Sequence, residues 1–489
     1  MLTKNNEKQN SMELVVIDDL VPQDHLLRKI DKHIDFTFIY DLVEDLYCLD
    51  NGRPSIDPVM LFKMMLIGYL FGIRSERRIV DEVKVNIAYK WFLGLSLTDK
   101  VPDYSTISQN RRRRFNGTDV FEKIFDRIVF QAIDMGLVKG KILYTDSTHL
   151  KANANKQKFE KKEVERFVKD YVKDLEEDVN VDREKHNKKP LKKKEVYKSE
   201  KKVIKSSTTD PDSGYMFRDR KPKGFFYLEH RTVDSQNNII TDVHITPGNI
   251  NDVDPYLERL DYQIEKFSFD TKYVGLDAGY FTAPICKGLE ERKIQGAVAY
   301  RLGPHEKGKY TKNKFQYIEE WDVYACPNSR FLEYKTTTRQ GYKEYVSNKE
   351  HCDICEHRDK CLVGKNDFRT IRRHVWEEHK EKVKRFVRSD VGKKIYKRRK
   401  ETVERSFADP KELHGLRYCR LRGISKVREQ SYMTAVAQNI KKIANMLSQS
   451  DFTYLNHTLS VKLAKYLNIN FIFHIMSKPT MKIVGLSLI

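Results

Sequence analysis

Two short stretches decide the fold: Ile142-Leu143-Tyr144-Thr145-Asp146-Ser147-Thr148 and Tyr273-Val274-Gly275-Leu276-Asp277-Ala278-Gly279-Tyr280. Each is an apolar run with an aspartate where a strand should end. An ionised carboxylate at the end of a buried strand is costly unless something positive meets it. Two such strands lying parallel and adjacent aim both carboxylates at one space, and hard divalent cations are the natural partner of clustered carboxylates. Either aspartate alone reads as readily as a helix cap or turn residue. The pair, in a basic chain, favours the metal reading.

A third acid is expected from a helix packed over those strand ends. Tyr396-Lys-Arg-Arg-Lys-Glu-Thr-Val-Glu404-Arg-Ser-Phe407 supplies it. Val403 and Phe407 are four apart and face the core, and Glu404 lies between them at the edge of that face. Glu401, one turn earlier, is the alternative, a surface residue placed to pair with Arg405 at i,i+4.

Around the acids the texture is that of an α/β protein. Residues 225–233 and 239–245 are β-rich, and Asp234-Ser235-Gln236-Asn237-Asn238 between them makes a hairpin turn. A helix near Asn251-Asp252, a strand over 273–276, a helix over 283–292 and a strand over 296–300 follow. This order predicts a mixed sheet flanked by helices. Residues 303–390 interrupt it, and helices return over 392–409 and 425–448. Upstream, 120–135 reads as a helix and 142–148 as a strand. Residues 151–206, rich in Lys and Glu and nearly free of Gly, read as an inserted arm with a long exposed helix or hairpin over 159–178 and a mobile Lys-rich second half.

Residues 12–115 read as helices. Asp57-Pro58 is a helix start, with Asp as N-cap and Pro in the first turn. The helix it opens turns Leu61, Phe62, Met65, Leu66 and Tyr69 inward. A second helix is expected over 75–93. A third begins after Pro102-Asp103-Tyr104, with Ser105 as its cap, and ends in Arg111-Arg112-Arg113-Arg114. Short helices closed by four arginines fit a helical DNA-binding unit. A solvated arginine face on an ordinary bundle is the alternative. The expected division is a helical domain over 1–116, a first catalytic part over 117–302, an insertion over 303–390, a last catalytic part over 391–450 and a tail over 451–489 that yields no reading.

The bulk numbers agree. The 489 residues carry a formal net charge of +21, which favours a polyanionic partner, and 11% aromatic and 39% hydrophobic content excludes a wholly disordered chain. Residues 1–10 lack the apolar core of a secretory signal. The strongest apolar run, 58–73, contains Lys63 and falls short of the roughly 20 residues a bilayer needs. Lys478, Pro479 and Lys482 break the apolar patches of 471–489. The expectation is a cytoplasmic protein away from membranes, with reduced cysteines. Cys352-Asp-Ile-Cys355, with Cys361 after it and Cys326 at the start of a knuckle-like turn, then fits a closed tetrahedral zinc site of structural kind. His351 and His357 are substitute ligands, and a redox pair is the alternative. Cys48, Cys286 and Cys419 read as buried thiols.

Asp146-Ser-Thr-His-Leu-Lys-Ala, Thr209-Asp-Pro-Asp-Ser-Gly-Tyr-Met, Lys221-Pro-Lys-Gly-Phe, Leu276-Asp277-Ala-Gly-Tyr, Thr402-Val-Glu404-Arg-Ser-Phe and Ala437-Gln-Asn-Ile-Lys-Lys together resemble the DDE transposases of bacterial insertion sequences, nearest to insertion-sequence family eleven-eighty-two. The resemblance runs from about residue 50 to about 448. It implies an RNase H-like catalytic fold with the triad Asp146, Asp277 and Glu404 holding two Mg²⁺ or Mn²⁺ ions. It implies cut-and-paste transposition by a homodimer on paired terminal inverted repeats of double-stranded DNA, near the bacterial nucleoid. Related enzymes carry a Tyr, Arg, Glu, Lys signature with gaps of two, three and six residues. Here Tyr396, Arg399, Glu404 and Lys411 give two, four and six, and the resemblance makes Tyr396 and Arg399 candidate DNA contacts. Lys411 is the candidate contact to the phosphate next to the cut, Arg111 to Arg114 are candidate phosphate contacts on the element ends, and Arg417, Arg420 and Arg422 are a candidate strip for flanking DNA. A catalytically silent repressor or architectural protein, and a nuclease of the same fold without strand transfer, are the competing readings.

Overall fold

A computed structural model describes residues 12–48, 55–166, 171–192, 200–217, 223–301, 307–362, 364 and 366–466. Residues 1–10, the Lys221-Pro222 pair and residues 471–489 lie outside the described residues, with the readings made of them.

The central sheet contains β1 (Ile142–Lys151), β2 (Phe159–Arg166), β3 (Glu200–Ser207), β4 (Gly214–Met216), β5 (Gly224–Asp234), β6 (Ile240–Pro247), β7 (Tyr273–Leu276) and β8 (Gln295–Val298). Its order is β2-β3-β4-β5-β1-β7-β8, with β6 also on β5. β1 lies antiparallel to β5 and parallel to β7, and β7 is parallel to β8. The sheet is therefore mixed, with helices flanking it, as the order of elements predicts. β5 is buried along its whole length. Its polar residues Glu229, His230, Arg231, Thr232 and Asp234 must all find partners inside the protein.

The N-terminal region is helical, with three local differences from the sequence expectation. Asp57 caps helix Pro58–Leu70 by accepting from the Met60 amide at 2.9 Å, and the helix is buried nearly all round from Leu61 to Leu70 rather than on one face. The expected helix over 75–93 is two helices, Glu76–Val85 and Ile87–Phe92. Asn86 ends the first and caps the second, because its side chain competes for backbone donors. For the same reason Asp103, not Ser105, caps helix Tyr104–Arg113: its carboxylate takes the Ser105 amide at 2.8 Å. This unit shares one continuous apolar core with the sheet, running from Leu27 through Ile128, Leu143 and Val274 to Ile443. No break in the core marks residue 116.

Helix Ile424–Tyr466 is the axis joining the two. It packs on helices Leu26–His33, Pro58–Leu70 and Val120–Asp134 and on β6. From Glu429 to Ile440 it is buried on every face, so its polar residues there bond protein rather than water. Asn439 accepts from the Ile240 amide at 2.9 Å and donates to the Ile240 carbonyl at 2.8 Å, beside a bulge in the β5–β6 pairing. The start of the helix is met by the Thr209-Asp-Pro-Asp block. Asp212 accepts from the Ile424 amide and Asp210 from the Gly423 amide, both at 3.0 Å.

The inserted arm is half strand and half helix. β2 and β3 pair antiparallel and extend the sheet. Helix Tyr171–Lys185 docks on a second, antiparallel sheet of order β13-β12-β11-β10-β9, made of β9 (Gln316–Ile318), β10 (Val323–Ala325), β11 (Phe331–Thr337), β12 (Tyr342–Ser347) and β13 (Thr370–His374). Leu175 and Val179 pack with Trp376, the Arg183 guanidinium donates to the Thr337 carbonyl at 2.7 Å, and His186 bonds Asp322 at 2.6 Å while stacking on Tyr334. The arm and the 303–390 insertion thus form one module.

His230, buried on β5, bonds Thr246 through Nε2 at 2.9 Å, and burial first, then His244 and Arg259, pushes its pKa down to about 3. An unfolded histidine takes its proton near pH 6.5. The stability that depends on a neutral His230 is therefore complete above about pH 6.5 and is lost as pH falls below it. Thermal unfolding followed from pH 7 to pH 4 should show a shallower loss of Tm in His230→Gln than in the parent chain. Equal slopes would remove His230 as the cause.

Candidate active site

The parallel register sets Thr145 beside Leu276, so the next residues, Asp146 and Asp277, end up side by side. β7 stops there because Asp277 turns back and accepts the Ala278 amide at 2.6 Å, capping a short 3-10 turn. β1 continues, and Asp146 accepts the Ser147 amide at 2.8 Å. Gly275 is required on β7, because a Cβ there would lie 2.4 Å from the Tyr144 ring.

The third acid lies in the first turn of helix Val403–Leu413, whose Val403 and Phe407 are buried as the spacing predicts. A three-residue 3-10 turn, Arg399–Glu401, precedes it. Arg399 reaches into the space between the acids. Its Nη2 donates to Asp146 Oδ2 at 2.9 Å, and its Nη1 stands 3.8 Å from Asp277 Oδ1 and 3.9 Å from Glu404 Oε1. Glu401 is exposed on the 3-10 turn, and its backbone carbonyl accepts from the Asn238 side chain at 3.3 Å. Burial, opposed by Arg399, raises the Asp146 carboxyl to about 6. Three carboxylates facing one guanidinium leave the site short of positive charge.

That deficit is the chemical fit to a hard divalent cation. The spacing is a different matter: among the described residues no group of three or more His, Cys, Asp or Glu is close enough to hold a metal ion. The guanidinium stands among the acids instead.

Lys411, seven residues beyond Glu404, donates to Thr148 Oγ1 at 2.5 Å. Thr148 is two residues beyond Asp146 on β1, so both point from the same face, and Lys411 lies on the acids' side of the sheet. The other basic residues divide. Arg112 and Arg113 are exposed. Arg111 is turned inward between Glu76 and Glu429, and Arg114 stacks 4.2 Å from the Tyr47 ring centre. Arg417 pairs with Glu412, Arg422 donates to the Asn153 carbonyl, and Arg420 lies over Tyr69. Tyr396 stands 5.6 Å from the Arg399 guanidinium carbon.

Behind the acids lies a residue that the sequence reading did not single out. Arg231 is the cross-strand partner of Asp146 and is fully buried. It donates to Glu229 at 2.8 Å, to the Ser406 carbonyl at 2.6 Å and to Gln438 Oε1 at 2.8 Å. It thereby ties the Glu404 helix to both the sheet and the long helix. The signal was present: Glu229-His230-Arg231 is a polar triplet inside an apolar strand, and Gln438 lies in the Ala437-Gln-Asn block.

In the second sheet's module, Cys326, Cys352, Cys355 and Cys361, with His351 and His357, line one pocket. The Arg330 amide points at Cys326 Sγ from 3.4 Å, Ser347 Oγ is 3.1 Å from Cys352 Sγ, and Asn328 approaches Cys355 Sγ at 3.6 Å. Cys286 and Cys419 are buried thiols as expected, whereas Cys48 is exposed.

Residues 15–113 match a family described as a transposase domain, and residues 325–444 match one described as a transposase DDE domain. The second match includes Glu404, Lys411 and the four cysteines, and lies beyond Asp146 and Asp277. No curated protein matches the chain. Among solved structures, a piggyBac transposase synaptic complex with hairpin DNA is 9% identical and covers 87% of this chain and 76% of its own, at a TM-score of 0.35, a likeness too low to bear an argument. The two family matches support a DDE transposase.

Arg231→Met removes a buried cation and strands Glu229. The expected loss is about 3–5 kcal/mol of unfolding free energy, read by chemical denaturation. A loss under about 1 kcal/mol would show that Arg231 does not hold the Glu404 helix in place.

Proposed function

We propose that the chain is a transposase that binds the terminal inverted repeats of its own element, cleaves DNA at the ends and joins the freed 3′-OH to target DNA. The observation that carries this reading is the meeting of Asp146, Asp277 and Glu404, from two strands and a helix far apart in sequence, around a single cationic point. Asp146, Asp277 and Glu404 would hold two divalent ions, which when bound supply Lewis-acid clamping of the scissile phosphate and an activated water. Lys411, on the same side of the sheet, would fix the adjoining phosphate. Arg112 and Arg113, exposed at the end of their helix, are the better-placed phosphate contacts of the arginine run, and contacts of this kind give affinity rather than sequence reading. The sheet with its helices is read as RNase H-like, and a homodimer on paired ends as the working assembly. The four cysteines that share one pocket are read as ligands of a structural zinc ion. All three acids are present, which speaks against a silent repressor.

With a labelled element end, Mg²⁺ and target DNA, the parent chain should cleave and join. Asp146→Asn, Asp277→Asn and Glu404→Gln should each lower the rate roughly 10³-fold, the loss that several kcal/mol of charge stabilisation implies. Glu401→Gln should stay near the parent rate. Cleavage that survives Asp277→Asn would sink the triad; cleavage without joining would make the protein a nuclease. Metal analysis of the purified chain should find about one zinc per chain, and a chain without zinc would remove that site.

A further inference from the structure

The molecule buries two arginines beside the acids, and they are held very differently. Arg231 is wrapped by a carboxylate, a carbonyl and an amide oxygen. Arg399 is nearly as deeply buried, its side chain 5% exposed, yet it makes one hydrogen bond to an acid, and its Nε has no hydrogen-bond partner. Its other two acid contacts, at 3.8 and 3.9 Å, are electrostatic. Such a cation is held by surplus negative charge rather than by a matched set of acceptors. It also sits on a 3-10 turn between helices Asp390–Arg398 and Val403–Leu413, and a short 3-10 stretch interrupting helices is a common hinge. The carboxylates it touches are half-exposed on their outer side: Asp277 is 46% and Glu404 48% exposed. A hydrated ion can therefore reach the site while the guanidinium fills its centre.

We propose that Arg399 is a built-in counter-ion of the metal-free protein, holding Asp146, Asp277 and Glu404 together until a divalent cation displaces its guanidinium from between them. The inference rests on the reading of these acids as metal ligands. It explains why the donor set fits a divalent ion while its spacing does not: the acids surround a planar cation larger than a metal ion. The guanidinium has somewhere to go, since the Tyr396 ring lies 5.6 Å from its carbon and aromatic faces accept cations. The arrangement spares the folded, unloaded protein three facing carboxylates with nothing between them. It also makes the first metal ion compete with an intramolecular cation, so affinity is traded for order.

The test needs neither DNA nor turnover. The full chain is treated with an arginine-specific dicarbonyl reagent in EDTA and again in Mg²⁺ or Ca²⁺, and modification of Arg399 is read by peptide mass spectrometry. Arg399 should be protected in EDTA and modified in the presence of the ion. In parallel, Mn²⁺ titration calorimetry should give roughly tenfold tighter binding for Arg399→Gln than for the parent, because a competing positive charge a few ångströms away is gone. Calorimetric binding that is lost in Asp277→Asn, with Arg399 still protected in Mg²⁺, overturns this proposal and leaves the metal reading standing. Absence of any binding that depends on Asp277 overturns both. The labelling uses the parent chain, so a poorly folded Arg399→Gln would not blunt it.

Discussion

Arg231 is the residue on which the geometry of the acids depends. It stands opposite Asp146 in the antiparallel pairing of β1 and β5 and reaches the Ser406 carbonyl, two residues past Glu404. One side chain thus fixes the distance from the strand that carries the first acid to the helix that carries the third. Burying it has a desolvation cost, met by Glu229, Ser406 and Gln438 together. Because Gln438 also donates to Ser406, the long helix, the Glu404 helix and β5 meet in one closed polar knot. Knots of this kind are costly when half satisfied and rigid when complete.

The knot extends along the long helix in both directions. Asn439 follows Gln438 and bonds both backbone groups of Ile240, and Lys442 donates to the Asn238 carbonyl, so the hairpin between β5 and β6 is pinned to the same helix. On its opposite flank that helix packs on the N-terminal helical unit, where Glu429 receives Arg111. Arg111 therefore links the arginine run to the long helix by a largely buried pair. The N-terminal helices meet the long helix, whose Gln438 bonds the Ser406 carbonyl of the Glu404 helix, through packed contacts rather than through a loop.

Much of this was legible in sequence, for identifiable reasons. β7 is legible residue for residue because an apolar run bounded by Asp-Ala-Gly has few alternatives, and the spacing of Val403 and Phe407, both buried, favours Glu404 over Glu401. Capping was misplaced by two residues at Asp103, since a serine and an aspartate both cap and only local geometry chooses. The arm's docking was out of reach: its partner surface, around Asp322, Thr337 and Trp376, lies over a hundred residues away, and no periodicity within residues 171–185 reports it. In sequence, Arg399 stands out only for its spacing to Tyr396. Its place among the acids depends on a 3-10 turn that residue pattern does not announce.

The long separation of Asp277 from Glu404 has a physical consequence. Between them lies the whole second sheet, with the helix Tyr171–Lys185 clamped to it by Asp182, Arg183 and His186. Inserting so much chain costs little in loop-closure entropy, which grows only as the logarithm of length. What the insertion must not do is shift the helix that carries Glu404. Among the described residues, the side-chain bonds of Arg231, Gln438 and Lys411 that hold this helix run between β1, β5, the Glu404 helix and the long helix. The module with the cysteines therefore lies outside the set of side-chain bonds that hold Glu404 beside Asp146 and Asp277.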